Sequence, residues 1–268
     1  MIKLFVSDID GTILESGKKI SEKNIAAVQK MVDAGITVTI ATGRMYRAAL
    51  PIAKELGVNV PIITYNGALI KSVAGEILHS EYLPKDLIVK IVNFFETKNW
   101  HLQSYSDDNL IYPAKNNYTE LYETAQKVQG AAVGWQGLRE HTEKVCKLLG
   151  INANLAETLE RTKILKAKFG DKISVTKSHP QFTEIMLLGV SKAAAVKILA
   201  EKLGVAKSEV MAIGDSENDL PMLQAAGQSV AMGNADDKIK AACTFVTGNC
   251  ADDGFADAVE NFVFGGKV

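Results

Sequence analysis

Leu4-Phe5-Val6-Ser7-Asp8-Ile9-Asp10-Gly11-Thr12 opens the chain with a short apolar run that breaks into two carboxylates and a glycine. The run reads as a buried strand entering a turn at Asp10-Gly11. In an open parallel sheet, Asp8 and Asp10 then stand at the carboxyl end of a strand, the edge where such sheets bind ligands. Two carboxylates two positions apart, with Gly11 freeing the backbone, suit a nucleophile beside a general acid/base. That division of labour requires neighbours that hold their protonation states apart. A plain Asp-Gly turn explains the same residues, and this stretch alone does not decide between the two.

Outward from this strand the rhythm is strand, helix, strand. Ser21 caps a predicted helix with Ile25, Val28, Met31 and Val32 on one face, and Gly35 stops it. Ile36-Thr37-Val38-Thr39-Ile40 is β-branched throughout and predicts a second buried strand. A helix through Ala48, Ile52 and Leu56 follows to Gly57, with Pro51 expected to shorten or kink it. Ile62-Ile63-Thr64-Tyr65 reads as a third strand, ending at Asn66-Gly67. The last third repeats the pattern. Lys192 opens a helix through Val196, Leu199 and Leu203, Val210 to Ile213 is a strand, Leu220 and Leu223 lie on a short helix, and Ser229 to Met232 is a strand. Such alternation predicts an α/β fold, a Rossmann-like parallel sheet with helices on both faces.

The middle differs. A helix with Leu87, Ile88, Ile91, Val92 and Phe95 precedes two strands, Leu102 to Tyr105 and Leu110 to Tyr112, around the turn-like Asp107-Asp108-Asn109. Val145 to Ile151, a helix from Leu155 to Phe169, Ile173 to Thr176 and Phe182 to Leu188 complete it. Residues 83–188 are therefore expected to form an α+β insertion between two halves, 1–82 and 189–268, of one α/β domain.

The 268 residues hold 30 basic and 31 acidic side chains for a net charge of -1, and 47% are hydrophobic. That composition excludes disorder and offers no basic excess for nucleic acid. No apolar run approaches the ~18 residues of a membrane span. Cys146, Cys243 and Cys250 are odd in number and lack C-x-x-C spacing, which suits a reducing cytoplasm and provides neither a disulfide framework nor a zinc site.

Further chemistry-bearing residues sit at predicted strand ends. Asp215-Ser216-Glu217-Asn218-Asp219 follows Gly214, and hard cations such as Mg²⁺ prefer carboxylate oxygens, so Asp215 and Asp8 suit one ion facing a phosphate. An acidic helix N-terminus is the plainer account, and suffices for Glu217. Thr42-Gly43-Arg44 closes the second strand, while Lys192 opens a helix. A hydroxyl and an ammonium at a sheet edge suit a transferring phosphoryl group, although each alone is commonplace. The order Asp-x-Asp, Thr, Lys, Asp is much less so.

That order resembles the haloacid dehalogenase superfamily, specifically its Cof-like phosphatases with a type IIB cap. The matching residues are Asp8 to Thr12, Ala41-Thr42-Gly43-Arg44, Asn66-Gly67-Ala68, Ser191-Lys192 and Gly214 to Asp219. Met232-Gly233-Asn234-Ala235 and Asp252-Asp253-Gly254-Phe255-Ala256 match as well. The resemblance implies that Asp8 attacks phosphorus to form an aspartyl-phosphate, and that Asp10 protonates the leaving oxygen and then activates water. It implies phosphate binding by Thr42, Gly43, Arg44, Lys192 and Asn218, and Mg²⁺ held by Asp8, the Asp10 carbonyl and Asp215 with Asp219 in support. Two departures occur. Ala193 follows Lys192 where glycine is frequent, and Ser7 precedes Asp8 where phenylalanine is frequent. The second is expected to alter packing beneath Asp8.

Other motifs fail. Five residues separate Gly11 from Gly17-Lys18, where a phosphate loop has four, and no G-x-G-x-x-G follows the first strand. His79, His101, His141 and His179 lack ligand spacing. Trp100, Trp135, Tyr105 and Tyr112 read as cap core instead of base-stacking platforms.

The expected activity is Mg²⁺-dependent hydrolysis of phosphomonoesters of small metabolites, with sugar phosphates foremost. A phosphomutase with the same cap type is the first alternative: it would need the cap to hold a second phosphate, and a bidentate clamp from Arg139 or Arg161, the two arginines of the insertion, would favour it. A non-catalytic sensor on this scaffold is the second, against which stands the retention of both Asp8 and Asp10.

Overall fold

The structure is a computed structural model and describes residues 1–58 and 60–265. Five parallel strands form its central sheet, in the order Phe245–Val246, Gln228–Ala231, Val210–Gly214, Leu4–Ser7, Thr37–Ile40. The Leu4–Ser7 strand lies between two neighbours and is buried at all four positions, as its unbroken apolar reading requires. Its alternate side chains enter opposite layers. Phe5 joins Val28, Met31 and Phe255 on one face, whereas Leu4 and Val6 join Val196, Leu199 and Leu223 on the other. Helix Glu22–Asp33 begins at Ser21, whose Oγ accepts from the Asn24 amide, and helix Lys192–Leu203 ends at Gly204 in the left-handed conformation.

Two expectations need correction. Pro51 lies inside a helix that runs without interruption from Tyr46 to Glu55. The run after Pro61 does not become a full third parallel strand. It touches the central sheet through a single parallel bridge, Ala41 to Ile63, and Ile62–Thr64 instead pairs antiparallel with Leu69–Lys71, itself paired with Ile77–Ser80. The cause is local. Tyr65, Asn66 and Gly67 all have positive φ, which turns the chain back on itself after three strand residues.

A second, six-stranded sheet runs Ile173–Thr176, Phe182–Leu187, Leu148–Ile151, Leu102–Ser106, Asn109–Tyr112, Ala131–Ala132, and all its neighbours but the last pair are antiparallel. Helices Lys85–Thr97 and Leu155–Phe169 contribute Ile88, Phe95, Leu165 and Phe169 to the apolar cluster on one of its faces. The other face carries Gln103, Tyr105, Lys147, Leu149, Glu184 and Met186, and it lies over the Thr42 to Arg44 segment of the central sheet. No strand of the six-stranded sheet pairs with the central sheet among the described residues.

Candidate active site

Asp8 and Asp215 leave adjacent parallel strands at the same edge, because Ser7 is in register with Ile213. The Asp8 amide still donates to the Ile213 carbonyl at 3.0 Å. Gly11 then lets the second loop approach. Its φ is +78°, and a β-carbon there would lie 2.4 Å from Asp215 Oδ2, so only glycine leaves room for that carboxylate. Thr12 Oγ1 donates to Asp215 Oδ1 at 3.2 Å. Ser7, the unusual residue before Asp8, donates its hydroxyl to the Asp8 carbonyl at 2.6 Å.

The ammonium of Lys192 sits 2.6 Å from Asp8 Oδ1 and 2.6 Å from Asp219 Oδ1, with no exposure of its own side chain. Asp219 Oδ2 meanwhile accepts from the amides of Asp215 and Ser216 and from the Ser216 hydroxyl. Asp219 thus pins the loop that carries Asp215. Carboxylate oxygens of Asp8, Asp215 and Asp219 lie within 4.8 Å of one another. One ammonium against three carboxylates is an incomplete neutralisation, and the acidities reflect it. Burial first, and the Asp219 charge second, raise the Asp8 pKa well above the carboxylate range despite Lys192. The same two causes push Asp215 up to about 7. Burial opposes the Lys192 charge, yet Asp219 and Asp8 together hold its pKa above the usual lysine range. An all-oxygen donor set short of positive charge, with a glycine cradle against Asp215, fits a hard divalent cation such as Mg²⁺.

Thr42 and Arg44 arrive at this edge from the neighbouring strand Thr37–Ile40. Thr42 is buried, and its Oγ1 accepts from the Arg44 amide. Arg44 grips the Asp10 carboxylate with two bonds, Nε to Oδ2 at 2.8 Å and an Nη to Oδ1 at 2.6 Å. Sequence spacing gave no sign of that partnership. Asn218 donates to Asn66 Oδ1 at 2.9 Å and accepts from the Ser216 hydroxyl at 2.6 Å. Asp8, Asp10, Thr42, Gly43, Arg44, Lys192, Asn218, Asp215 and Asp219 therefore gather at one edge of the central sheet. Asn234, in the Met232-Gly233-Asn234-Ala235 stretch, also reaches this edge. Its Nδ2 donates to the Gly11 carbonyl at 2.9 Å and lies 3.3 Å from Asp215 Oδ2, while its Oδ1 accepts from the Cys250 amide.

A family model described as haloacid dehalogenase-like hydrolase matches residues 5–259. The chain belongs to that family. It is 31% identical over 265 residues to the Bacillus subtilis 5-amino-6-(5-phospho-D-ribitylamino)uracil phosphatase YcsE, covering 98% of this chain and 96% of the relative. It is 27% identical to the HMP-PP phosphatase of Serratia proteamaculans, covering 98% and 96%. Among solved structures, TM0651 of Thermotoga maritima is 32% identical with a TM-score of 0.84 over 98% of both chains. The subclass IIB sugar phosphatase BT4131, 24% identical, shares the fold with a TM-score of 0.87 over 97% of this chain and 99% of its own. Members of the family typically work through an aspartyl-phosphate and Mg²⁺, and this haloacid dehalogenase-like chain carries the corresponding acidic cluster. It is a phosphoric monoester hydrolase. None of its described helices is long and apolar enough to cross a membrane.

Proposed function

We propose that this haloacid dehalogenase-like hydrolase removes the phosphate from small hydroxylated metabolites, with Asp8 as nucleophile and Asp10 as acid and base. The observation that carries the assignment is the Lys192 ammonium bridging Asp8 and Asp219 beside Asp215, at the strand edge that also holds Asp10 and Thr42. An Asp8 carboxylate oxygen forms a bond to phosphorus while the ester P–O bond breaks, and Asp10 gives its proton to the departing oxygen. Asp10 then takes a proton from water, whose oxygen displaces Asp8 and releases inorganic phosphate. Both Asp10 oxygens accept from Arg44 in this arrangement, so that pair opens for Asp10 to carry its proton, and Thr42, the Gly43 segment, Lys192 and Asn218 face the phosphoryl oxygens. Asp8, the Asp10 carbonyl and Asp215 would hold Mg²⁺, with Asp219 behind them. The ion supplies charge neutralisation for the phosphoryl group when bound.

Residues 83–188 are proposed as the cap that covers this edge, and 1–82 with 189–268 as the catalytic core. Support comes from strand partnership, since Leu148–Ile151 pairs with Leu102–Ser106 and Phe182–Leu187 and not with the central sheet. The phosphomutase alternative loses its clamp. Arg139 is tied to Glu96 and Asn93, and Arg161 is tied to Glu157 and stacked over Trp100. The three free thiols suit a reducing cytoplasm. Release of phosphate from a panel of phosphomonoesters, with and without Mg²⁺, tests the assignment. Failure on every monoester in Mg²⁺ would refute it.

A further inference from the structure

Lys147 and Glu184 form an ion pair at 2.7 Å with almost no exposure, on the face of the six-stranded sheet turned toward the active-site edge. Lys147 also donates to the Gly43 carbonyl at 2.6 Å and stands 5.0 Å from the Tyr105 ring centroid. Glu184 accepts from the Ser178 amide through its other oxygen. A β-carbon on Gly43 would lie 3.2 Å from Glu184 Oε1. The pair thus abuts the peptide between Thr42 and Arg44. A buried ion pair gives no reliable stability over apolar residues of equal volume, so its retention at this contact asks for another reason.

The charge balance of the facing surface supplies one. Lys147 is matched by Glu184, and Lys177, which also reaches from this sheet toward the central one, is matched by Glu217 at 3.2 Å. Opposite them Arg44 is matched by Asp10. Arg47 stands at the exposed rim, bonded to Asn109. Among the described residues of this facing surface, the buried cations Lys147 and Arg44 are each matched by a carboxylate. A carboxylate or second phosphate would be desolvated beside Glu184 with no net charge to receive it. A hydroxyl fits, because it accepts from the Lys147 ammonium and donates to the Glu184 carboxylate at once.

We propose that Lys147 and Glu184 are the specificity-determining pair of this enzyme, receiving hydroxyls of an uncharged polyol or sugar leaving group and rejecting leaving groups that carry a second anion. This rests on the phosphatase reading above. On substrate entry the Lys147 bond to the Gly43 carbonyl is exchanged for one to a substrate hydroxyl. The contact that joins the two sheets and the contact that reads the leaving group are therefore the same.

The full chain is assayed in excess Mg²⁺ with three probes: an open-chain polyol monophosphate, a hexose bisphosphate and p-nitrophenyl phosphate. The wild type is expected to favour the polyol monophosphate over the bisphosphate in kcat/KM. Glu184→Gln leaves the ammonium unmatched, so the ratio of bisphosphate to polyol monophosphate should rise by about tenfold, mostly through KM. Lys147→Met should lower the polyol value relative to p-nitrophenyl phosphate without favouring the bisphosphate. The double variant Lys147→Met/Glu184→Leu removes both charges and guards against misfolding of either single variant. It should lose the preference for polyol over p-nitrophenyl phosphate. Equal factors on all three probes in every folded variant, or a wild type that favours the bisphosphate, would overturn the proposal. Absence of wild-type activity on all three would instead refute the phosphatase reading on which it stands.

Discussion

Replacing Lys192 with methionine removes the ammonium that Asp8 and Asp219 share at 2.6 Å each, in a place where water does not reach the side chain. The methylene stem and much of the volume remain, so packing is a minor part of the loss. The major part is two carboxylates left buried and uncompensated. Breaking a buried pair by deleting one partner costs about 3–5 kcal/mol, against a total stability on the order of 5–15 kcal/mol. Equilibrium unfolding in denaturant at neutral pH, with EDTA present, reads this directly. The reasoning also fixes a coupling. In an Asp219→Asn background one of the two charges is already gone, so Lys192→Met should cost less there by roughly 1–3 kcal/mol. A loss below about 1 kcal/mol for Lys192→Met, or strictly additive losses in the double variant, would refute the electrostatic account of this cluster.

Gly11→Ala places a methyl 2.4 Å from Asp215 Oδ2 at a φ of +78°, so it should weaken Mg²⁺ binding by at least about tenfold in calorimetric titration; unchanged affinity would contradict the cradle. EDTA should abolish turnover and Mg²⁺ restore it, whereas Ca²⁺, with looser coordination, should restore little, and Asp215→Ala should lose most turnover even in high Mg²⁺. Full activity after metal removal would sink the mechanism. Burial lowers the His101 pKa below its unfolded value, so the unfolded chain binds the extra proton first and stability falls as pH drops below about 6.5. The slope of melting temperature against pH in that range should flatten in His101→Gln, and an imidazole titration midpoint by NMR above the unfolded value would refute it.

Three central strands, Leu4–Ser7, Thr37–Ile40 and Val210–Gly214, were legible because they are largely buried and rich in apolar and β-branched residues before Asp8, Thr42 and Asp215. The two-residue edge strand Phe245–Val246, by contrast, is partly exposed and gave no pattern. The hairpin of Leu69–Lys71 and Ile77–Ser80 was not, since three- and four-residue strands joined by a turn give too short a pattern. Helix Asn117–Gln126 escaped for a different reason. Asn116 caps it with a full capping box, but among its residues only Thr119 and Tyr122 are buried, so its apolar stripe is thin. The ends of strands announce Asp8 and Lys192. Partnerships across the fold, such as Arg44 with Asp10 or Lys147 with Gly43, depend on tertiary contact and leave no local trace. Lys147 and Glu184 do share strand parity with Leu149 and Met186, which marks them as charges on an otherwise buried face.

The central claim is that Asp8 is the residue that receives the phosphoryl group. A crystal structure of the full chain grown with Mg²⁺ and beryllium fluoride tests it most directly, because the fluoride adduct takes the place of the phosphoryl group on the attacking oxygen. Beryllium bonded to an Asp8 carboxylate oxygen, with Lys192 and Thr42 facing the fluorides, is the predicted result. An adduct on Asp10, Asp215 or any other residue would contradict the account.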